Sequence, residues 1–481
     1  MQGIDEDKTF ICHECISDAF LKKDIKDEGK REKCSYCGKS RKAIQLQELA
    51  NRIHSVIEEH FYLTSSEPSP LEYAMAKDNE SSYDWERSGE PIDYILQVNL
   101  GIDETIATDI QEYLSGYFSG DPKELLENPY GDEACYEENP PDRYDFQESW
   151  EFFLKEITTR ARYFNEYAEK VLYELFCNLD SLRTFDGKSV VRIAGPKTEL
   201  SNVSRARVCQ TLTSLDKILK APIKELSAPP AMAAKHGRMN AAGISVFYGA
   251  TDAQTCIAEV RPPVGSHVVV GRFEIIRNLR LLDLNILSEI YATGSYFDTE
   301  FKRRKGHAAF LQSLVDELTK PVMPDKETLG YLPTQIVAEY LAEKVKPHLD
   351  GIIFNSSQTK EKGQNIILFQ NCCAVEPYNL PIGTIVSINY GWGLAEDYDD
   401  SIAVDEELPL NTSQSEQSEH IVNCPNIRDI TLRLDVKKDI DVLVIEGATY
   451  HSHKRGISRY RHEKYISESN PLNNGKSDSF W

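Results

Sequence analysis

Apolar positions along the chain change their period once, near residue 185. Before it the spacing is helical. Leu46, Leu49, Ile53, Val56, Ile57 and Phe61 predict a helix over 45–63. Trp150, Phe153, Ile157, Ala161, Phe164, Ala168, Val171, Leu175 and Leu179 form one stripe and predict a single long helix from Gln147 to about Leu179. Between them, 71–146 is acidic and turn-rich, with a short helical stretch DETIATDIQEYLSGYF and an exposed loop ENPYGDEACYEENPPDRYD. After 185 the pattern turns to short strands punctuated by Gly and Pro. VVRIAG, HVVVGRFEII and LRLLDL read as strands, and GIIFNSS and NIILF as two strands joined through KEKGQ. Residues 235–265 read as loop, strand, turn and helix. That helix starts near the N-cap residues Thr251 and Asp252 and is stopped by Pro262. TQIVAEYLAEKV predicts a further helix over 334–345. From 376 on, GTIVSINY, DITLRLDV and DVLVIEGA alternate with a Ser/Glu-rich insert at 411–420, which predicts an all-β or α+β appendage with a frayed end.

The expected organisation is therefore four units: 1–45, a helical unit over 46–180, an α+β unit with a small split mixed sheet over 185–375, and a β-rich extension over 376–481. No apolar run of about 18 residues occurs, so no membrane span is predicted. The first residues are acidic and lack a long apolar stretch, unlike a secretory leader, and the expected location is cytoplasmic. The net charge of −23 disfavours broad nucleic-acid binding. The basic segment 451–465 is the local exception and reads foremost as a solvated tail or helix face.

The 11 cysteines are an odd number scattered over a long chain, which argues against a disulfide framework. Four of them form Cys12-x-x-Cys15 and Cys34-x-x-Cys37, with 18 residues between the pairs. Two such knuckles supply the four thiolates of a closed tetrahedral zinc site, with no position left for catalysis. Four unrelated buried cysteines, or a redox dithiol, are the alternatives.

Candidate chemistry in the α+β unit centres on Gly237-Arg238-Met239-Asn240, with Tyr248 ten residues beyond the arginine and Glu259 eleven further on. A strand–helix turn can bring the three to one rim. A loop arginine suits a bidentate grip on phosphate, tyrosine offers a flat face to a ring, and Glu259 on an apolar helix is expected to be desolvated. An Arg–Glu salt bridge at a domain edge fits the same three residues equally well. Arg192 stands inside the apolar strand VVRIAG, where a charge must be paired or face a ligand. The segment Asn355-Ser356-Ser357-Gln358 ends a strand, where polar residues rim a pocket or make a plain turn.

In order and spacing, VVRIAG, GRMN, SVFYGA, IAEVRP, YLPTQIVAEYL, DGIIFNSS and QNIILF resemble the RES (Arg-Glu-Ser) domain. That family is similar in fold to ADP-ribosyltransferases, and several members are toxins that deplete NAD by hydrolysis or phosphorolysis. The zinc knuckles and helices ahead of it resemble the HEPN-like accessory region of longer members. The HEPN ribonuclease signature, Arg and then His after four to six residues, is absent from the helical region. The resemblance implies that Arg238, Tyr248, Glu259 and Ser356 are catalytic. It implies Arg192, Asn240, Gln335, Ser357 and Asn365 as substrate-binding residues, without a firm choice between Ser356 and Ser357. Met239 departs from the family, which usually has an aromatic residue there. The implied activity is cleavage of the nicotinamide–ribose bond of NAD, with water or inorganic phosphate as nucleophile, in a toxin or defence effector. Mono-ADP-ribosyl transfer and a non-catalytic nucleotide-sensing role are the alternatives. An inhibitory protein, or a trigger sensed by the N-terminal region, is the expected partner besides NAD.

Overall fold

The computed structural model describes residues 9–78, 83–119, 127–359, 362–391, 401–409, 430–449 and Arg455. The Ser/Glu-rich insert and, Arg455 apart, the basic segment 451–465 lie outside the described residues.

The N-terminal part begins with β1 (Phe10–Cys12), α1 (Ala19–Glu28), β2 (Lys30–Lys33) and β3 (Ser40–Gln45), the strands forming an antiparallel sheet in the order β1-β3-β2. Asp18 caps α1 by accepting from the backbone N–H of Leu21. Then come α2 (Leu46–His60), β4 (Phe61–Leu63), α3 (Pro70–Ala76), β5 (Glu90–Pro91), α4 (Ile92–Tyr94), α5 (Glu104–Tyr117) and β6 (Cys135–Glu138). The predicted stripe of α2 is buried against Ile106, Ile110 and Leu114 of α5. Ile11, Ile16, Leu21 and Ile25 belong to the same core, so the cysteine knuckles and the first helices are packed as one body.

The predicted single helix over 147–179 is two helices, α6 (Tyr144–Thr159) and α7 (Glu166–Phe176). Phe164 adopts a left-handed φ of 54° and is fully exposed. The Asn165 side chain accepts from the backbone N–H of Ala168, capping a new helix where the stripe suggested continuation. The stripe misleads because both helices bury it in one core: Trp150, Phe153 and Ile157 from α6, Ala168, Val171 and Leu175 from α7.

The remaining strands are β7 (Val191–Ala194), β8 (Asn202–Cys209), β9 (Phe247–Ala250), β10 (His267–Ile275), β11 (Leu279–Asp283), β12 (Gly351–Asn355), β13 (Gln364–Leu368), β14 (Ala374–Val375), β15 (Ile385–Tyr390), β16 (Ile402–Glu407), β17 (Ile430–Arg433) and β18 (Ile440–Val444). Interleaved helices are α8 (Leu212–Lys220), α9 (Pro222–Leu226), α10 (Ala253–Val260), α11 (Leu284–Leu287), α12 (Phe301–Thr319), α13 (Glu327–Gly330) and α14 (Leu332–Glu343). One curled mixed sheet runs β14-β17-β10-β8-β9-β13-β12-β11-β7, parallel at β11/β12 and β14/β17 and otherwise antiparallel. β18 shares the outer edge of β10 with β17: it pairs with His267–Gly271, and β17 with Glu274 and Ile275. The C-terminal strands are thus part of this sheet rather than a separate appendage. They cover an edge that a nine-residue strand would otherwise leave open. Among the described C-terminal strands, β15 and β16 pair with each other as a separate two-stranded sheet.

Each face of the sheet has its own cover. Leu282, Ile352, Phe354 and Ile367 meet α6, α7, α12 and α14 on one side. Phe247, Leu279, Leu281, Ile353, Ile366 and Leu368 meet α8 and Leu226 of α9 on the other. Among the described residues no helix is long and apolar enough to cross a membrane.

This packing makes α6 and α7 part of the stability of the sheet they precede. Phe153 is fully buried and stacks on Trp150. Phe153→Ala should destabilise the sheet together with the helices by about 3–5 kcal/mol. Denaturant unfolding followed by tryptophan fluorescence checks this, and a loss below about 1 kcal/mol would mean that the helices are dispensable to the sheet.

Candidate functional site

The turn after β9 begins α10. The Asp252 side chain accepts from the Thr255 N–H, and the helix ends at left-handed Arg261 (φ 45°), beyond which Pro262 cannot continue it. Glu259 occupies the last turn and is exposed rather than desolvated as the apolar helix suggested, because a helix end at the rim leaves its carboxylate facing solvent. Hydrogen bonds hold it instead. Ser356 Oγ donates to Glu259 Oε1 at 2.6 Å, and Asn365 Nδ2 donates to the same oxygen at 2.7 Å. Among the described residues no donor is bonded to Oε2. Ser356 is itself fully buried, and its Oγ accepts from the N–H of Gln358. Ser357 is exposed, with Oγ accepting only a long contact from Gln358.

Close approach of the β12–β13 connection to α10 makes this triad possible. A Cβ on Gly363 would run into Thr255 Oγ1 and its methyl group. Glycine lets the connection lie against the helix, and the Ser356 N–H then bonds to Gly363 O at 2.8 Å.

A second group surrounds Gly237. Tyr248 OH donates to Asn240 Oδ1 at 2.8 Å and accepts from the Met239 N–H at 3.1 Å. Burial pushes the Tyr248 phenol up to about 12, so it stays protonated at neutral pH. Asn240 Nδ2 is bonded to the carbonyls of Lys235, Ala241 and Ile244, which ties the loop to itself. Gln335 Nε2 bonds to Gly237 O at 2.8 Å, and Thr334 Oγ1 bonds to Arg238 O. Arg238 Nη1 donates to the carbonyls of Leu318 at 3.0 Å and Lys320 at 2.8 Å, and the guanidinium lies over Tyr331. Part of this arginine therefore closes the C-terminus of α12, and no ion pair joins it to Glu259 among the described residues. Met239 is buried in the core, which is where the departure from an aromatic residue is accommodated.

The sheet brings the two groups side by side. Tyr248 pairs with Ile367 and Ala250 with Asn365, so Tyr248 and Asn365 are diagonal neighbours on one face, roughly 7–8 Å apart. Arg192, on β7, lies at the far side. It faces Asp283 at 3.6 Å and Glu199 at 3.7 Å and makes a 3.5 Å contact to Gln364 beside Asn365. Asp283 and Gln364 escaped the sequence reading. A carboxylate closing the apolar run LRLLD was the available signal for Asp283, because it caps α11 and must be paired where it is buried.

Family models match two stretches of this chain, one described as the RES domain over residues 210–385. The chain contains a RES domain. The second match is a HEPN/RES N-terminal domain 1 over residues 27–171. No curated protein and no solved structure matches the chain. The RES match contains Arg238, Tyr248, Glu259, Ser356 and Asn365, whereas Arg192 precedes it. The RES family is linked to NAD-related toxin function.

In the N-terminal part, Cys12, Cys15, Cys34 and Cys37 gather their sulfurs within 4.8 Å of one another. The separations are 3.7 Å for Cys12–Cys15, 3.6 Å for Cys12–Cys37 and 3.8 Å for Cys15–Cys34. A tetrahedron of thiolates about 2.3 Å from a zinc ion has edges of about 3.8 Å, so the four can hold a metal ion of that size. The Cys12 N–H points at Cys34 Sγ at 3.4 Å, a donor that favours the thiolate.

The two adjacent serines separate by role. Ser356→Ala removes a buried hydroxyl that holds a carboxylate and should cost about 1–3 kcal/mol of stability. Ser357→Ala should change stability by less than about 0.5 kcal/mol. Thermal melts of the two variants check the difference, and equal behaviour would contradict the hydrogen bonding described above.

Proposed function

We propose that the RES domain cleaves the nicotinamide–ribose bond of NAD. The observation that carries this reading is the state of Glu259: two neutral donors fix one carboxylate oxygen, and the other, unbonded among the described residues, is left at the rim. In the reaction the bond between ribose C1′ and the pyridinium nitrogen breaks, its electron pair goes to nitrogen, and nicotinamide leaves neutral. No general acid is required. The developing charge is positive and lies on the ribose, where a fixed carboxylate stabilises the transition state more than the substrate. Ser356 and Asn365 hold that carboxylate in one rotamer, so little reorganisation is needed. Tyr248 packs against nicotinamide or its ribose. Arg192 and the donors of Arg238 not bonded to α12 grip the diphosphate. Oxygen of water or of inorganic phosphate then bonds to C1′. With water, the attack also releases a proton, which passes to Oε2 of Glu259 or to solvent. Products of purified protein and NAD, with and without phosphate and with a bystander protein, distinguish hydrolysis, phosphorolysis and ADP-ribosyl transfer, and intact NAD in every case would end the reading.

Glu259→Gln keeps both hydrogen bonds to Oε1 and removes the charge. Glu259 is exposed and without an ion pair among the described residues, so the melting temperature should hold within about 2 °C while turnover falls about a hundredfold or more. A folded variant with near-normal NAD cleavage would remove Glu259 from the mechanism.

The same reading gives the cysteine cluster one structural zinc and no part in catalysis, because four protein thiolates leave no open coordination position. About one zinc per chain should co-purify. Cys34→Ser should lose it and destabilise α1 and α2, with which the knuckles share a core. Metal-free protein that melts like the metal-bound form would refute this.

A further inference from the structure

Residues 30–42 hold six basic residues and one acid, Glu32, in a chain of net charge −23. They run from β2 through the second cysteine knuckle into β3. β2 lies at the edge of its sheet, and Lys30, Arg31, Glu32 and Lys33 along it are all exposed. Lys39 and Lys42 are exposed as well. Among the described residues none of Lys30, Arg31, Lys33, Lys39, Arg41 and Lys42 forms an ion pair, although acids outnumber bases in the chain by 77 to 54. Lys42 Nζ donates instead to the neutral carbonyl of Gly29 at 2.6 Å.

Antiparallel pairing sets Arg31 directly opposite Lys42. Like charges so placed repel and cost stability. Alternation along the strands puts Arg31, Lys33 and Lys42 on one face, and Glu32 opposite Arg41 on the other. Protection of the sheet edge does not require this pattern, because charges of mixed sign deter strand pairing without the repulsion. Balancing the metal does not require it either: four thiolates on one zinc ion leave a net charge of −2, and the basic surplus over 30–42 is five. Protein–protein interfaces have an apolar centre and are poor in lysine, whereas nucleic-acid interfaces are strongly positive. No large apolar side chain over 22–42 is exposed; Ile25 is buried, and the Tyr36 hydroxyl is taken by Asp109 at 2.6 Å. Arg31 and Lys33 repeat at about 6.8 Å along the strand, close to the separation of successive phosphates in a nucleic-acid strand.

We propose that this face of the knuckle sheet, Arg31, Lys33 and Lys42 flanked by Lys30 and Lys39, docks on the phosphate backbone of a nucleic acid. It offers no free aromatic ring for stacking, so the contact is to phosphates and not to bases. The acidity of the whole chain repels phosphates elsewhere and confines the contact to this one face. The proposal is independent of the NAD reading and of every residue in the RES site.

Fluorescence anisotropy of the full chain with labelled single-stranded RNA, and separately with labelled duplex DNA, tests the face over a range of salt. The unaltered protein should bind at least one of them saturably, with affinity falling as salt rises. Arg31→Gln combined with Lys33→Gln should weaken binding at least tenfold. It should also make the slope of log affinity against log salt shallower by about 1.4–1.8, two contacts at roughly 0.7–0.9 each. Arg31→Glu alone places opposite charges across the strands, so it should bind more weakly yet melt no lower than the unaltered protein. This second variant keeps the test open if the first disturbs the fold. Lys437→Glu with Lys438→Glu, exposed on the RES side, should leave binding unchanged. Absence of binding to both probes at low salt would overturn the proposal. So would affinities that the folded Arg31 and Lys33 variants leave unaltered, a result that would move the contact to another basic segment such as 451–465. Polyglutamate bound more tightly than either nucleic acid would make the partner an acidic protein and overturn it as well.

Discussion

A sheet that is apolar on both faces must be covered on both, and this constraint organises the RES half of the molecule. Leu282, Ile352 and Ile367 on one face and Leu281, Ile353 and Ile366 on the other are all buried. Alternating strand residues leave no polar face to give to water. The chain meets the demand from outside the RES match. Helices α6 and α7 come from before residue 210, and β17 and β18 from after 385. Stability of the site therefore depends on segments that carry none of its chemistry.

Within that frame the candidate site is set by local sequence to an unusual degree, and this part was legible. Asp252 as cap and Pro262 as stop bound α10 to within a turn, and that alone fixes Glu259 at a helix end. Strand patterns of GIIFN and QNIIL placed Ser356 and Asn365 at strand limits. The four cysteines were legible because metal-ligand spacing is a local property. What could not be read were pairings across long separations. The β18–β10 contact joins residues more than 160 apart in the chain, and no periodicity in DVLVIEGA names its partner. The break between α6 and α7 was hidden for the opposite reason: two helices packed on one core keep the register of one. Exposure of Glu259 was missed because apolar neighbours in sequence, Ala258 and Val260, are not neighbours in burial at a helix terminus.

Charge is distributed with the same economy. The carboxylate at the rim is held by neutral donors, a hydroxyl and an amide, rather than by an arginine. An arginine there would cancel the charge that, in the proposed reaction, faces the developing cation. The arginines are held elsewhere: Arg238 by carbonyls at a helix end, Arg192 by acids 3.6 and 3.7 Å away, Arg205 by an aromatic face. Each arrangement restrains the side chain while leaving donors for another anion, whereas close bidentate salt bridges would use them.

One helix joins the N-terminal body to this machinery. At the start of α12, Phe301 packs on the ring of Tyr296, which in turn meets His60 and Phe61; Lys302 faces Glu59 at 3.7 Å, and Lys305 pairs with Glu138. Just before it, Ser295 donates to Asp18, the residue that caps α1 beside the cysteine knuckles. In the middle, Phe310 and Leu314 sit in the core, and Trp150 donates to Glu317 at 2.7 Å. At the end, the carbonyls of Leu318 and Lys320 receive Arg238. A helix transmits displacement along its axis because its backbone hydrogen bonds are in series, and α12 is packed rather than free. The geometry of the Arg238 loop is therefore referenced, through a single rigid element, to the body that contains the cysteine cluster. That gives the N-terminal region a structural reason to be joined to a RES domain.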